Sequence, residues 1–185
     1  MEPPLPPKLV AVIEKIGYWS FSEDIPLHSS GAHPASDPVR VKEEIEIFNT
    51  WKKFNPTIPF SNLRYIEKNL FLVDVDCYSL FGSDCGKFKT LTISIICPPN
   101  YPRAFPRLAE NPRIQHDRIF MELVTRATRR AVYLCIPAIQ RIWWTKNTPY
   151  AGIAHFLNIF LIWFSISSNK KRTKIDFYDK KTVIV

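Results

Sequence analysis

Glycine is scarce in this chain, with five residues in 185, while proline reaches sixteen. The prolines gather near Pro3–Pro7 and across Pro98–Pro112. They therefore shape particular segments, and neither a collagen-like repeat nor a low-complexity sequence is present. The four cysteines, Cys77, Cys85, Cys97 and Cys135, make no C-x-x-C pair. That speaks against a structural zinc site, and no cofactor or metal is expected. The opening MEPPLPPKL has no cationic stretch followed by an apolar one, so no secretory leader is read and a reducing cytoplasm is the expected location. No apolar run reaches the roughly 18–20 residues of a membrane span. The longest, Ile153–Ile166, is shorter and contains His155 and Asn158, so it reads as a buried helix. No internal repeat occurs.

What is present is a sizeable potential core, with 46% hydrophobic and 14% aromatic residues, which argues against global disorder. The formal net charge is +8. Arg113, Arg118, Arg126, Arg129 and Arg130 fall in one region, and Lys170, Lys171, Arg172 and Lys174 in the tail. Such charge suits nucleic acid or an acidic partner, or serves solubility alone. No helix-turn-helix, RNA-recognition or zinc-finger pattern accompanies it, so nucleic acid is not the expected partner.

Along the chain, residues 1–8 read as extended, and Lys8–Trp19 carries helical spacing. Ser20–Pro38 reads as a loop, which sets 1–38 apart as an extension. Val39–Phe54 predicts a helix with Val41, Ile45, Phe48 and Trp51 as its apolar stripe, Asp37 as cap and Pro38 in the first turn. Strands are expected over Phe60–Ile66, Leu70–Leu80 and Phe88–Cys97, in an antiparallel meander. Phe81–Gly86 reads as a turn. Prolines stop regular structure over Pro98–Pro106, and Arg107–Ile114 suggests one more short strand. Gln115–Arg130 reads as a polar, basic stretch with a single helical turn near Phe120–Leu123. Ala131–Ile136 is a short apolar run into Cys135, and Arg141–Asn147 a loop with Trp143 and Trp144. Thr148–Ser167 closes as a helix, before a basic tail at 168–185 with a candidate edge strand over Thr182–Val185. The fold class is α+β, with 39–167 as the main domain.

This order resembles the ubiquitin-conjugating enzyme fold. Ile95-Ile96-Cys97-Pro98, Tyr101-Pro102 and Phe105-Pro106 resemble that family's strand and YPxxPP turn, with Phe105 in place of a proline. Leu134-Cys135-Ile136 is similar to its catalytic segment, and Trp143 follows at the family's spacing. Two departures stand out. Gln115-His116-Asp117-Arg118 replaces the usual His-Pro-Asn motif, and the stretch from His116 to Cys135 is longer than in the eukaryotic enzymes. Bacterial stand-alone relatives of short type II CBASS antiphage operons fit better, with Trp163-Phe164 resembling their terminal-helix pair.

The resemblance implies a thioester-forming nucleophile at Cys135, with His116 as acid–base or loop-orienting residue. It also implies a partner joined through its C-terminus. That partner is a cGAS-like nucleotidyltransferase or, in the bacterial ubiquitination-like (Bil) systems, a ubiquitin-like protein, with an activating enzyme as an optional third component. From the residues themselves, such chemistry needs an accessible thiolate and nearby positive potential. Pro137 would keep Cys135 off a continuing strand. Arg126, Arg129 and Arg130 would supply the potential and steer an acidic partner tail, and Trp144 is a candidate partner contact. Against this stand three blander readings: Cys135 as a core cysteine, the arginines as a solvated face, and the whole domain as a non-catalytic binding module.

Overall fold

Asp37 starts the first helix: its carboxylate accepts the N–H of Val39 at 2.9 Å, and Pro38 follows in the first turn, where its missing donor does no harm. This helix, α1, spans Pro38–Phe54 and ends as Asn55 turns its N–H back to Trp51 and Lys52. The computed structural model describes residues 35–101, 104–108, 114–130 and 152–168. The expected helix at Lys8–Trp19, the Cys135 segment, the loop with Trp143 and Trp144, and the tail strand lie outside the described residues.

The buried face of α1 is Arg40, Glu44, Ile47, Phe48 and Trp51, with Val41 and Ile45 only partly covered. The expected stripe is thus turned by part of a helical turn, so that two charged residues lie inward with Phe48 and Trp51.

Four strands follow in one antiparallel sheet of order β1-β2-β3-β4: β1 Phe60–Glu67, β2 Leu70–Asp76, β3 Thr90–Ile96 and β4 Arg107–Leu108. Lys68 and Asn69, both at positive φ (43° and 65°), form the two-residue turn between β1 and β2, the geometry that matches strand twist. Phe71, Val73, Val75, Leu91, Ile93 and Ile95 alternate onto the core face and are all buried. Leu70, Leu72, Asp74, Thr92 and Ile96 take the other face, the last of them exposed.

The expected strand Leu70–Leu80 stops early, because Asp76 caps a short helix, α2, at Cys77–Phe81. Its carboxylate accepts from both the N–H and the hydroxyl of Ser79, at 3.2 and 2.8 Å. A 3-10 turn at Gly82–Cys85 leads on, with Gly82 at φ 61° and ψ −143°, a conformation open to glycine alone. β4 is described at Arg107–Leu108, and most of the expected strand Arg107–Ile114 lies outside the described residues.

Gln115–Thr128 is a full helix, α3, where the sequence suggested one turn. Its inward positions are Asp117, Phe120, Leu123, Val124 and Thr128. Charges at Arg118, Glu122 and Arg126 hide that stripe, yet all three lie on the exposed side. The last described helix, α4, spans Ile153–Ser167 and is buried on every side from Ile153 to Ser165. Phe164 meets Phe81 edge-on at 5.5 Å between ring centres, and Phe120 lies 6.0 Å from both Phe81 and Phe160. These rings join α2, α3 and α4 in one aromatic core. Among the described residues, no helix is long and apolar enough to cross a membrane.

The inward charges of α1 are paired with one another and with distant groups. Arg40 Nε lies 3.3 Å from Glu44 Oε1, one turn along the helix, and neither side chain is accessible to solvent. The hydroxyl of Tyr101, itself buried, donates to Glu44 at 2.6 Å and accepts from Arg40 Nη2 at 3.3 Å. The Arg40 guanidinium also lies over the Tyr101 ring, 5.0 Å from its centre. The second Glu44 oxygen accepts the N–H of Ile153 at 3.0 Å, at the start of α4, where Gly152 has no side chain to cap it. Burial works to lower the basicity of Arg40, but Tyr101 and Glu44 outweigh it, so the guanidinium is held charged above its ordinary range. Replacing Glu44 by Ala leaves a buried cation and an uncapped helix, and the expected loss is about 3–5 kcal/mol. Glu44→Gln, which keeps an acceptor for Ile153, loses less; urea unfolding of the two variants checks the order.

Candidate functional site

The residues proposed from sequence divide into three groups. Cys135 and Trp144 lie outside the described residues. His116 opens α3, and Arg126, Arg129 and Arg130 stand at or beyond its other end. At 1.5 Å per residue, α3 holds His116 roughly 15–20 Å from Arg126 and Arg129 along its axis. The structure therefore does not bring the histidine and the arginines into one cluster.

His116 has a specific partner. The N–H of Thr92 on β3 donates to its Nδ1 at 3.0 Å. Next to it, Asp117 accepts the N–H of Ser94 at 2.7 Å and the Ser94 hydroxyl at 2.8 Å. Among the described residues β4 pairs with Ile95 and Ile96, and Thr92 and Ser94 lie outside that pairing. Side chains from the first turn of α3 thus take the place of a neighbouring strand, covering a sheet edge that would otherwise leave buried donors unpaired. With Nδ1 occupied, only Nε2 of His116 is left for proton transfer. Asp117 did not emerge from the sequence as a functional residue. Its only signal was its place beside His116, since a buried aspartate within a polar stretch looks like any surface one.

Thr92 also joins this end of α3 to the outer face of the sheet. Its hydroxyl donates to Asp74 Oδ1 at 2.8 Å, and Asp74 pairs with Arg64 at 3.2 Å and accepts from Asn62. Partial burial works to raise the Asp74 carboxyl, but hydrogen bonds from Thr92, Asn62 and Arg64 and the charge of Arg64 prevail, so it stays below its usual range.

Arg126, Arg129 and Arg130 are exposed. Cations here suit the negative end of the helix dipole. Arg129 is left-handed (φ 57°, ψ 25°), the position where helices commonly place glycine. The Thr128 hydroxyl, bonded to the Val124 carbonyl at 2.8 Å, accepts the N–H of Arg130 at 3.2 Å and steadies this exit.

The three cysteines that are described are free and buried. Burial, with smaller contributions from nearby Cys85 and Asp76, pushes the Cys77 thiol up to about 12. Burial, reinforced by Glu44, also raises Cys97 well above the ordinary thiol range. Both are poor nucleophiles at neutral pH, since the thiolate is the reactive form. Among the described residues, no group of three or more His, Cys, Asp or Glu side chains could hold a metal ion.

Comparison of the chain with family models, with curated proteins and with solved structures found no match.

Two outcomes follow from this geometry. Under native conditions near neutral pH, the Cys135→Ala protein is expected to take up almost no iodoacetamide, while denaturant exposes all three remaining thiols; intact mass before and after unfolding reads the difference. Asp117→Ala, which strands the Ser94 N–H and hydroxyl, is expected to lower stability by about 3 kcal/mol, and Asp117→Asn by less, on denaturant titration.

Proposed function

We propose that this protein is a ubiquitin-conjugating-like thioester carrier. In this reading the Cys135 thiolate attacks the activated C-terminal carbonyl of a partner protein. The new S–C bond forms as the donor's leaving group departs, and the thiol proton passes to solvent or a nearby base. The observation that carries the reading is the order of elements around Leu134-Cys135. A helix, a four-stranded antiparallel meander and a proline-rich turn precede that segment, and an apolar helix follows it. Burial of Cys77, Cys85 and Cys97 supports it by leaving Cys135 as the candidate nucleophile. Arg126, Arg129 and Arg130 end α3 a few residues before Cys135 in sequence and would steer an acidic tail toward it.

The partner class that the sequence resemblance favours is a cGAS-like nucleotidyltransferase of a bacterial antiphage operon. A ubiquitin-like protein of a Bil-type system is the alternative. A non-catalytic binding module of the same fold is the second reading. It is favoured by the engagement of His116 Nδ1 with Thr92 and by the lack of the His-Pro-Asn motif.

Co-expression with the neighbouring gene product, followed by gels with and without reductant, tests the carrier. A covalent adduct is expected that a thiol cleaves and Cys135→Ala abolishes. An adduct that persists in Cys135→Ala overturns the assignment. Stable non-covalent co-purification with no adduct points to the binding module.

A further inference from the structure

The two acceptors that α3 presents to β3 differ in how they respond to acid. Asp117 accepts two hydrogen bonds from Ser94 through its carboxylate. His116 accepts the Thr92 N–H only as a neutral ring with its proton on Nε2. Protonation places an N–H on both ring nitrogens, so that Nδ1–H would face the N–H of Thr92, donor against donor. Imidazole is the side chain whose charge ordinarily changes between about pH 5 and 8.

We propose that His116 is a pH-sensitive latch that holds the start of α3 against the edge of β3 while its ring is neutral and releases it on protonation. The charged groups around it come from both elements. On α3 they are Asp117 and Arg118, and from the sheet they are Asp74, reached through the Thr92 hydroxyl, and Arg64 paired with Asp74. Because the docked state contains the neutral ring, docking is complete at the alkaline side of the titration and is lost as pH falls. Asp117 keeps its hold on Ser94, so release frees the Thr92 edge without detaching the helix. The latch uses only His116, Asp117 and β3, and it stands independently of any chemistry at Cys135.

Amide hydrogen exchange of the full chain, resolved by NMR and corrected for the intrinsic pH dependence of exchange, tests it. Between about pH 7.5 and about pH 5.5, protection of the Thr92 amide is expected to fall by about tenfold or more, and that of Ser94 by clearly less. In His116→Asn the side-chain oxygen replaces Nδ1 as acceptor and does not titrate, so the fall at Thr92 should vanish. A wild-type Thr92 that keeps its protection, or an equal fall in His116→Asn, overturns the latch. If His116→Asn does not fold, the ring nitrogen signals of wild-type His116 decide. Their titration midpoint must coincide with the loss of Thr92 protection, and a mismatch overturns the proposal.

Discussion

Glu44 accepts hydrogen bonds from two groups far away in the chain, the hydroxyl of Tyr101 and the backbone N–H of Ile153, 57 and 109 residues distant. Arg40, one turn back on the same helix, supplies the countercharge and covers the face of the tyrosine ring. A carboxylate cut off from water is tolerated only when charge and hydrogen bonds replace its hydration. Here that requirement is met by parts drawn from three places: α1, the turn after β3, and the first residue of α4. None can move far without stranding a charge. The pairing thus sets where α4 begins and how the sheet and α1 sit against it, more specifically than apolar packing could.

The second constraint lies along β3. Among the described residues β4 pairs with Ile95 and Ile96, and the N–H groups of Thr92 and Ser94 on β3 find their acceptors elsewhere. A helix supplies them, through side chains rather than backbone. Along the chain, α3 takes up most of the interval between His116 and Cys135. It also gives His116 a structural task, and separates it from the arginines by the length of a helix.

The cysteines show how burial sorts chemistry that composition leaves undivided. Cys77 and Cys97 carry the same thiol as Cys135, but their surroundings hold the proton on sulfur. A thiol is reactive only where its charged form is affordable, and the interior of this fold is not such a place. The thioester reading accordingly centres on Cys135, which the order of elements sets between the meander and α4 along the chain.

Much of the architecture was legible from sequence. Local rules found α1, down to its Asp37 cap and Pro38, and the meander, whose alternation of Phe71, Val73 and Val75 against Leu91, Ile93 and Ile95 follows from strand geometry alone. They also identified the apolar run of α4 as a buried helix. Where they failed, non-local partners had overridden the local pattern. A stripe read from hydrophobic residues could not include Arg40 and Glu44, because what makes them inward residues is Tyr101 and Ile153. Gln115–Thr128 looked too polar for a helix against the core, because Arg118, Glu122 and Arg126 interrupt its apolar positions. Asp117 takes its buried place from the N–H and hydroxyl of Ser94 on β3. Of the candidate site, sequence alone supplied Cys135 and its order among the elements. The tertiary structure decided that His116 and Asp117 complete a sheet edge, since hydrogen-bond satisfaction is settled by which groups meet in space.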